Sequence, residues 1–325
     1  MTSALQLEIL DLRHFSAASL RPLLEEEARV WSQRLEWDYR PSANLLLQYL
    51  DSRILPGYVA VENGRISGYV FCVYEDRKAV IGDVFAIVPQ HVESTSADVG
   101  EKLLICLIEM LQHSPGVDRI ESQLLLHPHG ELVAPFRAAG FGIHQRLFMR
   151  RDLLGEQPPP SAALPPDLEM RAWREDDFNP AAHLISSAYG GHLDSYINDQ
   201  YRSVSGSLRF LHNIVRFPGC GYFDGASSRV LVRKGGSEFA GLILCSRVRE
   251  DVAHVTQVCV DQRDRGRGLG RLLLEDCAVN LKKQGFRALT LTVTAGNDNA
   301  VALYRRTNFQ ITHDFDAMLW ERPGQ

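Results

Sequence analysis

The chain has 325 residues, 45% hydrophobic and 23% charged, which is the composition of an ordinary folded protein rather than a disordered or fibrous one. This length exceeds the roughly 100–200 residues of a typical domain, so two domains are expected. A net charge of -5 provides no basic field for a phosphate backbone, so no nucleic-acid partner is expected.

The first residues carry charges where a secretory signal needs an unbroken apolar core. No stretch reaches the about 20 apolar residues that span a bilayer, so we expect no membrane association and a cytoplasmic location. The cysteines show no CxxC spacing and lie mostly in apolar runs, which is typical of buried thiols in a reducing compartment. We assign none of them to a disulfide or to a metal.

Residues 1–154 predict a strand, a long helix from Ser16 to about Trp37, a hairpin that turns at Asn63-Gly64, and a further strand. A helix at Val99 to Leu111 and two more strands follow. Residues 155–167 contain five prolines, which exclude a helix interior or a sheet ladder, and predict a linker.

Residues 168–325 repeat this order of elements: a strand, helices, an antiparallel meander ending at Val260, a helix from about Gly268 to Lys283, a strand, a short helix and a last strand. In the alignment of the halves Phe136 falls on Tyr304, and Gly82 falls on His254. The predicted fold class is α+β, with two tandem domains that each have a mixed, mostly antiparallel sheet flanked by helices.

The loop after Val260 predicts an anion site. Arg265, Gly268 and Gly270 fit the pattern [Q/R]-x-x-G-x-[G/A] at a strand-to-helix junction, where backbone N–H groups and the helix dipole face a phosphate. Arg271 stands where a Rossmann fingerprint needs a third glycine, and no Lys-Ser/Thr pair follows as in a P-loop. A glycine-rich helix start with solvated arginines is the alternative for the loop alone.

The segments VCVDQRDRGRGLGRLLLEDC and TLTVTAGNDNAVALYRRTNF resemble the signature region of the GNAT superfamily of N-acetyltransferases. The resemblance implies two tandem GNAT-like domains, a bulged strand whose backbone binds the pantetheine of acetyl-CoA, and a loop that binds its pyrophosphate. Asn308 stands where the family has glycine, and Asn also accepts a left-handed turn. The implied cofactor-binding residues are Val258, Cys259, Val260, Arg265, Gly266, Arg267, Gly268, Leu269, Gly270, Arg271, Asn297 and Tyr304.

The resemblance also implies catalytic roles. Tyr304 matches the tyrosine that protonates the departing thiolate, and its alternative is a half-buried packing residue. His254 stands where some relatives have the base that takes the amine proton, and its alternative is a strand histidine bonded to a neighbour. Gln257 and Thr256 are further candidates for positioning substrate or water, and the backbone N–H of Val258 is expected to meet the oxyanion.

Cys259 is disfavoured as an acyl-accepting nucleophile because it points away from His254 on a regular strand, so direct transfer in a ternary complex is preferred. No metal site is expected.

The amine site is expected in a region that mixes acids and aromatic residues, which is equally typical of a solvated helix face. Its candidates are Tyr189, His192, Asp194, Tyr196, Asp199 and Tyr201.

The first half is expected to be a degenerate GNAT-like domain. Its loop carries Glu93 and Asp98 in place of the arginine-glycine pattern, and Phe136 cannot donate a proton. The resulting hypothesis is an acetyl-CoA-dependent N-acetyltransferase, monomeric or homodimeric, that acetylates a primary amine of a small molecule or peptide. The alternatives are a non-catalytic acyl-CoA sensor and a tandem-fold transferase that uses aminoacyl-tRNA.

Overall fold

The computed structural model describes residues 7–87, 95–155, 163–216, 219 and 221–324, so the predicted linker lies in part outside the described residues. The chain divides into two compact units, one formed by Met1–Arg146 with Asp314–Gln325 and the other by Leu147–His313. The compact units are therefore not the two halves of the sequence.

The elements of the first half follow the predicted order. They are β1 (Leu7–Asp11), α1 (Ala17–Leu35), α2 (Arg40–Asp51), β2 (Gly57–Glu62), β3 (Arg65–Glu75), β4 (Lys78–Ala86), α3 (Ser96–His113), β5 (Arg119–Gln123), α4 (Val133–Ala138) and β6 (Gly142–Asp152). In the first unit the strands are ordered β1-β2-β3-β4-β5, joined by antiparallel ladders except for the parallel pair of β4 and β5.

The second half contributes β7 (Leu168–Ala172), α5 (Phe178–Ala188), α6 (Leu193–Ile197), α7 (Val204–Arg216), β8 (Tyr222–Phe223), β9 (Arg229–Arg233), β10 (Phe239–Arg249), β11 (Val252–Val260), α8 (Leu269–Lys283), β12 (Ala288–Thr294), α9 (Asp298–Arg306) and β13 (Gln310–Glu321). In the second unit the order is β6-β12-β11-β10-β9-β7, with β11 and β12 parallel and the meander antiparallel. The predicted mixed, mostly antiparallel fold is confirmed.

The last strands of the two halves are exchanged. The segment Ala317–Glu321 of β13 pairs antiparallel with β5 in the first unit, and Met318 and Trp320 join the core that α3 covers. In the second unit the part of β6 from Leu147 onward lies beside β12, and Leu147, Met149 and Leu153 enter the core under α8. Each unit therefore contains a strand from the other half of the sequence.

The two units contain equivalent parallel ladders. Val252–Val255 pair with Ala288–Leu291, and Lys78–Ile81 pair with Arg119–Ser122. Counting from the starts of these ladders places Val80 at the position of His254. The expectation that Gly82 occupies that position is wrong, because Gly82 aligns with Thr256 and Asp83 with Gln257.

The bulges confirm this registration. In the second unit Leu244 faces Gln257 and the next residue, Cys245, faces Val255, so Thr256 is the extra residue of β11. In the first unit Val70 faces Val84 and Cys72 faces Ile81, so one residue of β3 lies opposite two of β4. An extra residue thus follows the parallel ladder at the same place in both units.

The ends of α4 and α9 also correspond. The N–H of Phe141 donates to Phe136 and the N–H of Phe309 donates to Tyr304, each over 3.0 Å. Asn308 has φ 65°, so it does adopt the left-handed conformation that the glycine position requires. Phe136 is the structural counterpart of Tyr304.

The exchanged strands predict which fragments are stable. We expect residues 147–313 to unfold cooperatively and residues 164–325, which lack β6, to unfold at a lower urea concentration. The lost burial of Leu147, Met149 and Leu153 should cost about 1.5–3 kcal/mol for each side chain. Urea unfolding followed by circular dichroism tests this, and equal midpoints for the two fragments would show that β6 is dispensable.

Candidate active site

The site begins where β11 and β12 part. Their parallel ladder ends at Val255 and Leu291, while β11 continues against β10 to Val260. The N–H of Asp261 donates to the carbonyl of Ala240 over 2.9 Å. Because backbone groups alternate along an antiparallel strand, those of Val258 and Val260 face away from β10, toward the gap left by β12.

Cys259 lies between these two residues and turns the other way. Its side chain is buried in the core under α5 and α7, and burial raises the pKa of its thiol. A thiol that stays protonated is a poor nucleophile. The structure thus gives Cys259 a packing role, in line with the preference for direct transfer.

The loop that follows presents backbone donors. Gly266 and Gly268 have φ 81° and 77°, which glycine adopts without strain, and Gly268 is the N-cap of α8. In this described stretch the N–H groups of Gly266, Gly268 and the first three residues of α8 donate to no protein acceptor, while the N–H of Leu272 donates to the carbonyl of Gly268. These groups form an anion cradle at the start of a 15-residue helix.

Within α8's first turn the predicted residues differ in their surroundings. Leu269 is buried in the core, and Gly270 lies close to α9, where an added Cβ would stand 3.1 Å from Leu303 Cδ2. Arg271 is exposed. Arg271 is therefore placed to meet a phosphate group at the cradle.

The other two arginines of the loop have protein partners. Arg267 donates to Asp167 over 2.7 Å and to the buried carboxylate of Asp264, which also binds Arg233. The hydrogen bond from Arg267 lowers the pKa of Asp167. Arg265 donates to the carbonyl of Ala188 at the end of α5 over 2.8 Å. These two arginines brace the loop in this structure rather than facing an open phosphate site.

Tyr304 lies on α9. It is 7% exposed and packs edge-on against Phe309, with ring centroids 5.9 Å apart. Asn297 caps the helix by accepting a hydrogen bond from the N–H of Ala300 over 3.2 Å. Burial raises the pKa of Tyr189 well above its usual value, and neighbours including Tyr304 add to that shift, so the two phenols lie near each other.

His254 lies in a buried row of polar residues. It is 6% exposed, stacks on Phe148, and its Nδ1 lies 2.9 Å from Thr290 Oγ1. The Thr290 hydroxyl donates to the carbonyl of Ala253, so it accepts from His254 Nδ1–H and leaves the lone pair on Nε2. Burial lowers the pKa of His254 to about 3. Such a histidine stays neutral but binds a proton weakly, which weighs against the role of base.

The structure brings several of the predicted acceptor residues together. Tyr189 donates to Gln257 Oε1 over 3.1 Å and stacks on Tyr201 with centroids 4.6 Å apart. Tyr189 also lies edge-on to His192, at 5.3 Å. These three residues form an aromatic wall that is joined to the bulged strand through Gln257.

His192 and Asp194 continue this wall toward α9. His192 Nδ1 lies 3.5 Å from Asp194 Oδ2, and both side chains are partly exposed. Asp194 also accepts from Thr294 at the end of β12, and Asn297 Nδ2 lies 3.3 Å from His192 Nε2. Sequence reasoning did not connect Thr294 and Asn297 to this wall, because nothing in their spacing signals a contact with residues some hundred positions away.

Two other members of the predicted acceptor set are less central. Tyr196 is exposed, and the guanidinium of Arg202 lies over its ring at 5.8 Å. Asp199 begins a short 3-10 turn, Asp199–Arg202.

The corresponding parts of the first unit have different chemistry. Thr95 and Asp98 form a capping box at the start of α3, so a carboxylate already occupies that helix start. Glu93 lies outside the described residues. Asp83, at the position of Gln257, is buried beside Glu27, and burial raises the pKa of both acids. Tyr69 donates to Glu27 over 2.5 Å.

The described residues contain no group of three or more His, Cys, Asp or Glu side chains arranged to hold a metal ion. No helix among them is long and apolar enough to cross a membrane. Cys72, Cys106, Cys245, Cys259 and Cys277 are free thiols, and Cys220 lies outside the described part.

Comparisons with known proteins agree with this geometry. Residues 194–309 match the Acetyltransferase (GNAT) family. The chain is 26% identical over 306 residues to a protein of Geodermatophilus obscurus named mycothiol acetyltransferase, covering 90% of this chain and 86% of the relative. The predicted resemblance of the second half to the GNAT acetyltransferases is thereby confirmed over residues 194–309.

Two solved structures are similar over nearly the whole chain. A GCN5-related N-acetyltransferase from Sphaerobacter thermophilus aligns with a TM-score of 0.63 and 15% identity over 99% of this chain and 98% of that one. A tandem GNAT protein from the clavulanic acid biosynthesis pathway aligns with a TM-score of 0.60 and 15% identity over 97% and 98% of the two chains. The fold is that of tandem GNAT proteins.

The environment of His254 predicts a pH dependence of stability. Unfolded histidine titrates near 6.5, so below that pH the unfolded chain binds a proton that the folded chain excludes until about pH 3. The stabilisation is present above pH 6.5 and is lost as the pH falls, by up to about 1.4 kcal/mol per pH unit. From pH 7 to 5 the parent should lose up to about 2 kcal/mol more than His254→Asn in urea unfolding. Equal losses would mean that His254 titrates normally in the folded chain.

Proposed function

We propose that the second unit transfers an acetyl group from acetyl-CoA directly to a primary amine of a small molecule or peptide. The observation that carries this proposal is the set of backbone groups that face the gap without a strand partner and lead toward the start of α8. It begins at Val258 and Val260 beside the parted β12 and runs into the N–H cradle before α8. A pantetheine arm that ends in a pyrophosphate matches this sequence of groups.

Acetyl-CoA is held by two kinds of contact in this proposal. Val258 and Val260 pair with the amide groups of the pantetheine, and the cradle from Gly266 to Arg271 donates to the pyrophosphate. Arg271 adds the positive charge, while Arg267 and Arg265 keep the loop in place through Asp264, Asp167 and Ala188. No side chain of the described site is required to bind a metal.

The chemical step needs an oxyanion donor and a proton donor. The amine nitrogen attacks the thioester carbon, the carbonyl electron pair moves to oxygen, and the C–S bond breaks as the carbonyl re-forms. The N–H of Val258 faces the gap and supports the oxyanion. Tyr304 protonates the sulfur.

The acceptor amine enters beside the aromatic wall. Tyr189 and Tyr201 provide aromatic faces, and the carboxylate of Asp194 attracts the ammonium form. We assign removal of the amine proton to the partly exposed carboxylate of Asp194 rather than to His254, because the low pKa of His254 makes it a weak proton acceptor, and His192 already accepts the N–H of Asp194 at Nδ1.

An acceptor screen tests the proposed function directly. Amines, amino acids, aminoglycosides and peptides are offered with acetyl-CoA, together with the acceptor of the mycothiol acetyltransferase to which the chain is similar. Release of free thiol is the readout. Binding of acetyl-CoA without turnover of any acceptor would favour the acyl-CoA sensor instead.

Gly268 provides a test of the cradle with a matched control. Gly268→Asp should abolish acetyl-CoA binding, because it places a negative charge at the helix start, whereas Gly268→Asn has nearly the same shape and should bind far better. Both residues tolerate a left-handed backbone, and an added Cβ meets no atom within 4 Å. Calorimetry should give one acetyl-CoA for each parent chain and none for Gly268→Asp. A stoichiometry of two for the parent, or of one for the Asp variant, would place a site in the first unit.

Tyr304→Phe tests the proton donor. We expect kcat to fall by about 10²–10⁴ while the Kd of acetyl-CoA changes little, since the hydroxyl acts in the transition state. Kinetics with an acceptor from the screen, alongside calorimetry, provide the two numbers. An unchanged kcat would give Tyr304 a packing role against Phe309.

A further inference from the structure

The proposed oxyanion donor already has a hydrogen-bond acceptor within the protein. The N–H of Val258 faces the gap, yet it donates to Oε1 of Gln257 over 3.1 Å. The thioester oxygen must therefore replace a side-chain carbonyl that lies at the same place. The side chain of Gln257 lies directly over the reacting position of the proposed function.

The orientation of the Gln257 amide is fixed by its neighbours. A backbone N–H can only donate, so the atom facing Val258 is the oxygen, and the Tyr189 hydroxyl donates to the same oxygen over 3.1 Å. The Nε2 group is left buried, on a residue that is 5% exposed, and no described protein atom accepts its hydrogens. A buried donor without an acceptor costs about 1–3 kcal/mol.

We infer that Gln257 is a catalytic residue whose Nε2 is a second donor to the thioester oxygen. Oε1 and Nε2 are bonded to the same carbon. When the thioester oxygen replaces Oε1 as the acceptor of the Val258 N–H, rotation of the carboxamide brings Nε2 within reach of that oxygen. Rotation moves Oε1 away and presents N–H in its place. The inference rests on the proposed acetyl transfer and names a residue for it.

The donor works without giving up a proton. When the amine attacks, negative charge develops on the oxygen, and the N–H groups of Val258 and Gln257 stabilise it while keeping their hydrogens. The charge returns to the carbonyl as the C–S bond breaks, and Tyr304 protonates the sulfur. Losing one such donor typically lowers kcat by about 10²–10³.

The test compares the parent with Gln257→Leu and Gln257→Met, which keep similar volumes but have no donor. Gln284→Leu is the matched control. Gln284 is the C-cap of α8, and its amide donates to Ser227 Oγ. We expect kcat to fall about 10²–10³ in both Gln257 variants and to stay unchanged in the control. Acetyl-CoA should bind at least as tightly, because a competitor for the N–H of Val258 is gone.

A second measurement does not depend on the acceptor. Infrared difference spectra of acetyl-CoA labelled with ¹³C at the carbonyl report how strongly the full-length protein polarises the thioester. The carbonyl band should lie at lower wavenumber in the parent and the control than in the two Gln257 variants. Thermal unfolding confirms that each variant is folded.

The outcomes distinguish the inference about Gln257 from the proposed acetyl transfer. The same band position and the same kcat in parent and Gln257→Met would overturn the inference and leave the proposed function intact. A loss of kcat confined to acceptors that carry a carbonyl or hydroxyl, with simple alkylamines unaffected, would show that Gln257 recognises the acceptor. That result would also overturn the inference. If labelled acetyl-CoA does not bind the parent, the proposed function fails and the inference fails with it.

Discussion

One extra residue in β11 determines the geometry of the site. Up to Val255 the strand has a ladder partner on each side, and the bulge at Thr256 comes where the ladder with β12 ends. The bulge changes which side chains share a face, so Gln257 rather than Thr256 turns toward α5, and the N–H of Val258 turns into the gap. A regular strand of the same sequence would place neither group there.

The loop beyond the strand depends on a buried carboxylate. Asp264 is 2% exposed and binds two arginines, Arg233 from the meander and Arg267 from the loop. A buried charge is tolerated only when it is paired, so these contacts fix the loop before any ligand arrives. The glycines can then keep their left-handed backbone with N–H groups directed outward. Arginines that look like phosphate ligands in the sequence are thus divided between bracing the loop and facing the solvent.

Much of this could be predicted from the sequence, and what was missed has physical causes. The glycine-arginine loop and the helix after it are local patterns, so their positions could be predicted. The exchange of β6 and β13 could not, because two final strands with similar alternation fit either sheet edge equally well. The match of Gly82 to His254 failed because the register of the parallel ladders with β5 and β12, which places Val80 there, cannot be counted from the order of elements alone. The contacts of Gln257 with Tyr189 and Val258 depend on a side-chain orientation that no spacing encodes.

The two bulges show how one backbone geometry supports different chemistry. Position 257 holds an amide that accepts two hydrogen bonds and retains a buried donor, next to a strand edge facing a gap. Position 83 holds an acid buried beside Glu27, and burial raises the pKa of both. Two carboxyl groups buried side by side do not both ionise readily, so the pair favours a shared proton and is a poor counterpart of the Gln257 amide. With Phe136 in place of Tyr304 as well, the first unit keeps the bulged framework but has neither the amide nor the phenol of the second unit.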